Sequence, residues 1–432
     1  MICSLKSPFL QELFDRGFIH QCTNLEALDD LTKDQSIILY GGFDATAPSL
    51  HVGNLMLVMM FRIAQRHGHQ PLVLMGGATT KVGDPTGKDK TRPVITEETI
   101  QRNIDSIKGC FSHYVNFNGA SSAVLINNND WLGSLYYLDF LGTYGRHFSV
   151  NRMLTFDSVK LRLEREQPLS FLEFNYMILQ SYDFLELYRR YGCILQAGGS
   201  DQWGNIVGGV ELIRRLEGKE AFGITAPLIT TASGQKMGKS EEGAIWLNKE
   251  ALSPFSYWQY WRNTEDADVI RFLKFYTDLS VSEIDHLSHT QDINTLKKRL
   301  ADETTALAHG RSVLSEIHQS IAQLFEGSDF KVEVKGTDSF GNPILQSVLP
   351  IVQISHAALK TGIPVFSLLV QAGLAESNGE ARRLIRGKGC RMNDVLVEDE
   401  NLVILTKDLK DPGIIKLSAG KKRHGLVQAV CS

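Results

Sequence analysis

An apolar run, Ser36-Ile37-Ile38-Leu39-Tyr40-Gly41-Gly42-Phe43, and a second one, Pro71-Leu72-Val73-Leu74-Met75, constrain the fold of this chain more than any other feature. The first has the length and β-branched content of a buried strand, and the second reads the same way. A turn-rich stretch, Asp44-Ala45-Thr46-Ala47-Pro48-Ser49, and a helical pattern from about Val52 to Arg66 lie between them. Strand, turn, helix and strand in that order predict a right-handed parallel crossover. His51 and Asn54 fall three apart at the start of the helix, so both are expected on one face beside unpaired backbone N–H groups, where an anion is favoured. Gly53 between them lets a flat base or a phosphate approach the backbone.

The same alternation continues from about Ser36 to Leu228, with Gly-rich turns after the strands (Gly76-Gly77, Gly198-Gly199), which is the layout of a doubly wound α/β domain. Between about 130 and 186 helical segments replace the strands, as in an insertion. The expected organisation is a Rossmann-like domain over 1–248 with that helical insertion, a small helical domain over 249–326, a linker over 327–360 and an α+β domain over 361–432. The linker rests on Gly336, Gly341, Asn342 and Pro343 and a lack of sustained periodicity. In the last part a short helix follows Pro364, a basic helix runs from Asn378 to Arg386, and a strand pair is expected at Cys390 to Val397 and Ile414 to Leu417.

With 43% hydrophobic and 22% charged residues, the chain fits an ordinary globular protein and not a disordered one. No uncharged apolar run reaches the ~18 residues needed to span a membrane, and the N-terminus lacks the pattern of a secretion signal. A cytoplasmic protein without membrane contact is expected. Cys3, Cys22, Cys110, Cys193, Cys390 and Cys431 are scattered without Cys-x-x-Cys pairing, so they indicate neither a zinc site nor a disulfide framework, but buried free thiols. The net charge of −4 argues against a wholly basic nucleic-acid coat. Yet Arg382, Arg383, Arg386, Lys388 and Arg391 fall together with no acidic residue among them, which suggests a local nucleic-acid module.

Far along the chain, Lys236-Met237-Gly238-Lys239-Ser240 places two lysines three apart with Gly234, Gly238 and Gly243 around them. Such a cationic loop can close on a polyphosphate. Where a phosphoanhydride is cleaved, cations that meet the leaving group only in the transition state raise the rate. The block Gly83 to Lys88 lacks the Gly-x-x-x-x-Gly-Lys-Ser/Thr spacing of a phosphate loop, and that reading is rejected.

The two stretches, in this order and with what lies between, resemble the nucleotide motifs of class I aminoacyl-tRNA synthetases. More narrowly, the chain resembles the bacterial-type tyrosyl-tRNA synthetases over nearly its full length. Five blocks carry the resemblance: Tyr40 to Asn54; Gly76-Gly77-Ala78-Thr79 with Gly83 to Lys88; Glu173 to Asp183; Gln196 to Trp203; and Lys236 to Ser240. Tyr176, Gln180 and Asp183 share one helical face at i, i+4 and i+7, so one helix could line an amino-acid pocket. Tyr40 and Asp183 could supply the donor and acceptor that a phenolic hydroxyl requires.

The resemblance implies that Tyr176, Gln180 and Asp84 hold the substrate ammonium group, that Gln196 and Gln202 support the pocket, and that Asp44, Gly199 and Asp201 face the ribose. It implies that Thr46 and His51 donate to the γ-phosphate region, with Gly53 and Asn54 in the nucleotide site. Lys236 and Lys239 would clamp the pyrophosphate, and Lys88 and Arg92 would assist from a second loop. ATP is the implied second substrate, with Mg²⁺ carried by ATP and no metal held by the protein itself. The tail resembles an S4-type RNA-binding domain for tRNA(Tyr), and Phe171 with neighbouring apolar residues is implied in a homodimer interface. Asn54 stands where the family commonly has histidine, Gly41 where cysteine is frequent, and Ala45 and Pro48 replace a frequent Pro and Asp. These departures are expected to retune ribose contacts and loop stiffness, and hence ATP affinity. Two other readings stand beside this one: a tryptophan-specific relative or another adenylyl-transferring enzyme of the same fold, and a non-catalytic RNA-binding protein with a decayed synthetase core. The RNA-binding tail weighs against the former, and the intact His51, Lys236 and Lys239 against the latter.

Overall fold

The computed structural model describes residues 5–84, 95–232, 234, 237, 239–240, 243–325, 333–338, 342–346, 349, 351–420 and 423–430. The chain forms two compact units, one of Met1–Lys239, Ala244–Asn248 and Thr264–Ala308, the other of Ser240–Gly243, Lys249–Asn263 and His309–Ser432.

The first unit is built on a six-stranded sheet of order β1-β6-β5-β2-β3-β4, where β1 is Gln21–Cys22, β2 Ile38–Phe43, β3 Gln70–Met75, β4 Val124–Asn127, β5 Leu195–Gly199 and β6 Phe222–Ala226. All neighbours are parallel except the β1–β6 edge. The expected crossover is present: β2 passes through a turn and the Leu55–Arg66 helix into β3, its parallel neighbour. Leu39, Leu72, Val73, Leu195 and Ile224 on the strands are buried, as are Val58, Met60, Phe61 and Ile63 on the helix. Each such side chain contributes about 1.5–3 kcal/mol of burial. Because β2 pairs with β3 on one side and β5 on the other, the winding reverses at β2, and a crevice opens beyond the C-terminal ends of β2 and β5.

Between β4 and β5 lie the helices Asn129–Leu132, Tyr137–Thr143, Val150–Met153 and Asp157–Glu164 and then the long helix Phe171–Tyr191, so the helical insertion is present and runs five residues beyond its expected end. The long helix starts at Ser170, whose hydroxyl accepts from Glu173 N while Glu173 bonds back to Ser170, a reciprocal cap. A buried Arg162–Glu173 pair at 3.0 Å ties that first turn to the preceding helix.

The expected helical domain over 249–326 is divided: residues 264–308 belong to the first unit, and 249–263 and 309–325 to the second. Arg16 explains part of the division, because its buried guanidinium donates to the carbonyls of Lys274, Thr277 and Leu279. Phe18 packs edge-on against Phe275, and Arg62 pairs with Asp278. These contacts join residues more than 200 positions apart, which helical periodicity cannot register.

The stretch 327–360, expected as a linker, carries an antiparallel pair, Glu333–Thr337 with Pro343–Gln346, and the strand Ile351–Ser355. That strand is the edge of a five-stranded sheet in the second unit, parallel to Arg423–Val430; Ile414–Ala419, Cys390–Met392 and Val395–Leu396 follow with antiparallel pairing. Only the partner strand, some seventy residues on, reveals that the segment is structured. Helices His356–Thr361, Val365–Gln371 and Asn378–Arg386 accompany this sheet, and their Leu359, Leu368, Leu369 and Ile385 share a core with Ile415, Leu417 and Val427. Cys110, Cys193 and Cys390 are buried free thiols as expected, whereas Cys22 is only half-buried on the edge strand; Cys3 and Cys431 lie outside the described residues.

Candidate active site

The crevice beyond β2 and β5 is a cavity of about 410 Å³, and the residues expected to form a site converge on it: Tyr40, Asp44, Thr46, His51, Gly53, Asn54, Asp84, Tyr176, Gln180, Asp183, Gln196, Gly199, Asp201 and Gln202 all line its walls. Lys88, Arg92 and Lys236 lie outside the described residues, as does the side chain of Lys239.

The sheet and the Phe171–Tyr191 helix make the closed end. Tyr40 on β2 and Gln196 on β5 are register partners, so their side chains stand next to each other on one face. Both are almost fully buried, and neither the Tyr40 hydroxyl nor Gln196 Oε1 has a hydrogen-bond partner among the described residues. An unmatched buried polar atom costs about 1–3 kcal/mol, so two side by side mark a place prepared for another group. Asp183, on the helix, is within electrostatic reach of Tyr40. Its Oδ1 accepts from Trp131 Nε1 at 2.7 Å and its Oδ2 from Asn128 Nδ2 at 3.0 Å. Burial pushes the Asp183 carboxyl up to about 7, with Asp44 and Glu186 adding to the rise, although the Asn128 and Trp131 donors pull it down. Burial, and then the Asp183 charge, hold the Tyr40 phenol well above its usual range, so it stays protonated and able to donate.

A chain of polar groups links this end to the rest of the cavity. Asn128 Nδ2 also donates to Thr79 Oγ1 at 3.0 Å; Thr79 donates to Asp44 Oδ1 at 3.0 Å, and the Tyr176 hydroxyl donates to the same oxygen at 3.3 Å. Asp44, expected toward a ribose, is thus also shared with the amino-acid side. Asp84 Oδ2 accepts from Gln202 Nε2 at 2.9 Å, while Asn205 Nδ2 donates to both Gln180 Oε1 (2.8 Å) and Gln202 Oε1 (3.1 Å). Two of the three groups expected around an ammonium ion, Asp84 and Gln180, are therefore cross-braced by Gln202 and Asn205. Asn128, Trp131, Thr79 and Asn205 were not anticipated as site residues; Thr79 lies in the Gly76-Gly77-Ala78-Thr79 block, whereas the other three sit outside the motif blocks, and only the fold brings them against the groups that line the cavity.

The open end is formed by the turn after β2 and the short 3₁₀ turn Val52–Asn54 that precedes the Leu55–Arg66 helix. His51 and Asn54 were expected to project beside unpaired N–H groups. Instead they cap the turn reciprocally: Gly53 N–H donates to His51 Nδ1 at 3.0 Å and His51 N–H to Asn54 Oδ1 at 3.0 Å. The correction has a chemical consequence. Acceptance at Nδ1 places the proton of the neutral imidazole on Nε2, leaving a ring N–H as donor.

The first nucleotide motif meets the segment that follows the second through the backbone. Val52 N–H donates to Ile245 O and Leu247 N–H to Leu50 O, both at 2.9 Å, and His51 faces Trp246 with ring centroids 6.1 Å apart. A Cβ at Gly53 would lie 3.2 Å from Met237 O and under 3 Å from the His51 ring, so glycine permits this approach. Gly41, expected to bear on a ribose contact, points elsewhere: a Cβ there would meet Leu57 Cδ2 at 2.7 Å. Its influence on the cavity therefore passes through Leu57, which lines it.

In the second unit, Arg382, Arg383, Arg386, Lys388 and Arg391 lie on or just after the Asn378–Arg386 helix. They are free of acids in sequence but not in space. Glu400 lies 2.7 Å from Arg386 and 3.8 Å from Arg382, and Glu398 lies 3.8 Å from Lys388. Arg382 also stacks 4.1 Å over the Phe366 ring. Such exposed pairs are weak and leave the guanidinium groups available to phosphates.

Residues 32–326 match the family model of "tRNA synthetases class I (W and Y)". The chain is 52% identical over 424 residues, 97% of its length and 99% of the relative's, to a protein of Rickettsia bellii named tyrosine--tRNA ligase. Among solved structures it is similar to a C-terminally truncated mitochondrial tyrosyl-tRNA synthetase of Aspergillus nidulans (TM-score 0.66, 30% identity, 73% of this chain and 94% of that one). The corresponding truncated enzyme of Coccidioides posadasii is also similar (TM-score 0.62, 31% identity, 72% and 91%). A mainly parallel sheet with the site at its switch point, a first nucleotide motif paired with the segment that follows the second, and full-length similarity agree: the chain belongs to the class I tRNA synthetases of the tryptophan and tyrosine group, among the tyrosine--tRNA ligases.

Proposed function

We propose that the cavity activates L-tyrosine with ATP and that the enzyme then transfers the tyrosyl group to the terminal adenosine of tRNA(Tyr). The observation that carries the choice of amino acid is the buried Tyr40 hydroxyl, which has no hydrogen-bond partner among the described residues and lies within electrostatic reach of Asp183. A substrate phenol entering here donates to the Asp183 carboxylate and accepts from Tyr40, satisfying both. Phenylalanine would leave them buried and unmatched, which is why enzymes of this type reject it by orders of magnitude. Tyr176, Gln180 and Asp84 suit the ammonium group.

A tyrosine carboxylate oxygen attacks the α-phosphorus, and the bond to the bridging oxygen of the β-phosphate breaks, so the electron pair leaves with pyrophosphate. No protein nucleophile takes part. His51 Nε2–H and Thr46 meet the polyphosphate as charge builds on the leaving group, assisted by Lys88, Arg92, Lys236 and Lys239. Asp44, Gly199 and Asp201 take the ribose. Mg²⁺ arrives with ATP as part of the substrate. A ribose hydroxyl of the tRNA then attacks the adenylate carbonyl and releases AMP.

We assign tRNA binding to the S4-type sheet and its basic helix. Arg383→Glu should raise the KM for tRNA several-fold and leave adenylate formation unchanged; equal charging by both proteins would reduce the helix to a surface feature. We also read the protein as a cytoplasmic homodimer. Free cysteines suit a reducing compartment, and among the described residues no helix is long and apolar enough to cross a membrane. Tyr136, Tyr137, Leu138, Phe171 and Leu172 leave more than half their surface exposed, and a second copy would cover them. The deciding assay is pyrophosphate exchange into ATP: tyrosine should support it and tryptophan barely. Comparable rates with both would move the chain to the tryptophan-specific reading.

A further inference from the structure

We infer that Asn248 is a positioning residue for the activation step, holding the segment that returns from the second nucleotide motif against the turn that carries the first. The inference rests on the activation chemistry proposed above. Asn248 does not itself line the cavity, yet both sides of its amide are engaged. Its Nδ2 donates to Pro48 O at 3.2 Å and to Ser106 Oγ at 3.0 Å, and its Oδ1 accepts from Cys110 Sγ at 2.6 Å. Its backbone N–H donates to Ser49 Oγ at 3.2 Å.

These partners belong to two elements. Pro48 and Ser49 close the turn that holds Thr46 and leads into His51. Ser106 and Cys110 lie four apart on one face of the Glu97–Phe111 helix. The same helix, one turn earlier, holds the front of the turn, where Asn103 Nδ2 donates to Ala45 O at 2.8 Å. The turn is thus gripped directly at its front and through Asn248 at its back.

What the amide fixes is register. The pairing of residues 245–247 with 50–52 consists of two backbone hydrogen bonds and the His51–Trp246 contact, and Asn248 is the residue at which it ends. A side chain that cannot donate to Pro48 or accept from Cys110 frees that end, so His51 loses its fixed neighbour. Displacement of a phosphate donor by about 1 Å is enough to cost up to roughly 10²-fold in rate. Tyr40 and Asp183 stand on other elements, the β2 strand and the Phe171–Tyr191 helix, so tyrosine binding should be untouched.

The test is steady-state pyrophosphate exchange with the full chain, beside equilibrium binding of tyrosine. Asn248→Leu keeps the volume and removes the polar groups; its kcat should fall roughly 10- to 100-fold with the tyrosine dissociation constant unchanged. Ser106→Ala removes one partner from the far side and should lower kcat about threefold, again with unchanged tyrosine affinity. An unaltered kcat in Asn248→Leu, or a loss of tyrosine affinity in step with kcat, overturns the inference. If Asn248→Leu does not fold, Ser106→Ala decides alone, and full activity there overturns it. The unsubstituted chain separates the two levels: exchange that needs tyrosine, with both variants unaffected, refutes only the role of Asn248, whereas no tyrosine-dependent exchange at all refutes the activation reading and this inference with it.

Discussion

The two ends of the cavity are built on opposite plans. At the closed end Tyr40, Gln196 and Asp183 project from regular strands and a helix and are nearly inaccessible to solvent, and among the described residues the Tyr40 hydroxyl and Gln196 Oε1 have no hydrogen-bond partner. At the open end Thr46, His51 and Asn54 sit on a turn whose polar groups are mostly satisfied by one another and by anchors such as Asn103 and Thr80. Choosing between similar side chains requires an unrelaxed, preorganised cost for the wrong one, and buried unmatched atoms provide that. We assign to the open end the stabilisation of a polyphosphate in its transition state, by donors that the supported turn holds in place.

Breaking the closed end should have the larger effect. Asp183→Ala removes a buried carboxylate and strands the Asn128 and Trp131 donors; kcat/KM for tyrosine should fall by roughly 10³. If tyrosine is activated normally by this variant, the closed end does not choose the substrate. His51→Ala removes a donor from the open end, and kcat should fall by roughly 10² with tyrosine binding intact; matching losses in both would erase the division between the two ends. Tyr40→Phe sharpens the comparison, because it deletes an atom that has no hydrogen-bond partner among the described residues. Activation should drop by up to about tenfold, while thermal unfolding shows unchanged or raised stability, by about 1 kcal/mol. A marked fall in stability would mean the hydroxyl is already satisfied.

The smallest effect is one of pH. Asp183 has its carboxyl raised from 3.8 to about 7, so its neutral form is favoured by the fold. Its contribution to stability is complete below about pH 4 and is lost as pH rises through 7. Tyrosine binding to the ionised acceptor should run the other way, strengthening by up to about tenfold between pH 6 and 8. Titration of binding by calorimetry checks the sign, and a binding curve that weakens with pH would show Asp183 acting as a donor.

The sequence carried the β2–helix–β3 crossover because strand and helix periods alternate there without interruption, and it carried the helical face of Tyr176, Gln180 and Asp183 because a spacing of four and three is local. What it could not carry are the contacts that no local period encodes. Trp131 lies in the four-residue helix Asn129–Leu132 and Asn128 just before it, with no distinguishing pattern, and Asn205 is one amide in an apolar helix. Ile351–Ser355 looks unstructured until Arg423–Val430 pairs with it. The acids facing the basic helix arrive from a loop near residue 400, so a charge run judged along the chain alone misstates the local field.

The pairing of Leu50 and Val52 with Leu247 and Ile245 has a consequence for biosynthesis. About 190 residues separate the two halves of that contact, and at ~5–20 residues per second a ribosome needs roughly 10–40 s to deliver the second half after the first. A nascent chain can fold its central strands and present Tyr40 during that interval, yet His51 has no Trp246 to lie against. Chains terminated after β6 but before about residue 248 would carry the residues of the amino-acid pocket without a working nucleotide site, so termination in that interval would yield a protein that can hold tyrosine but cannot consume ATP.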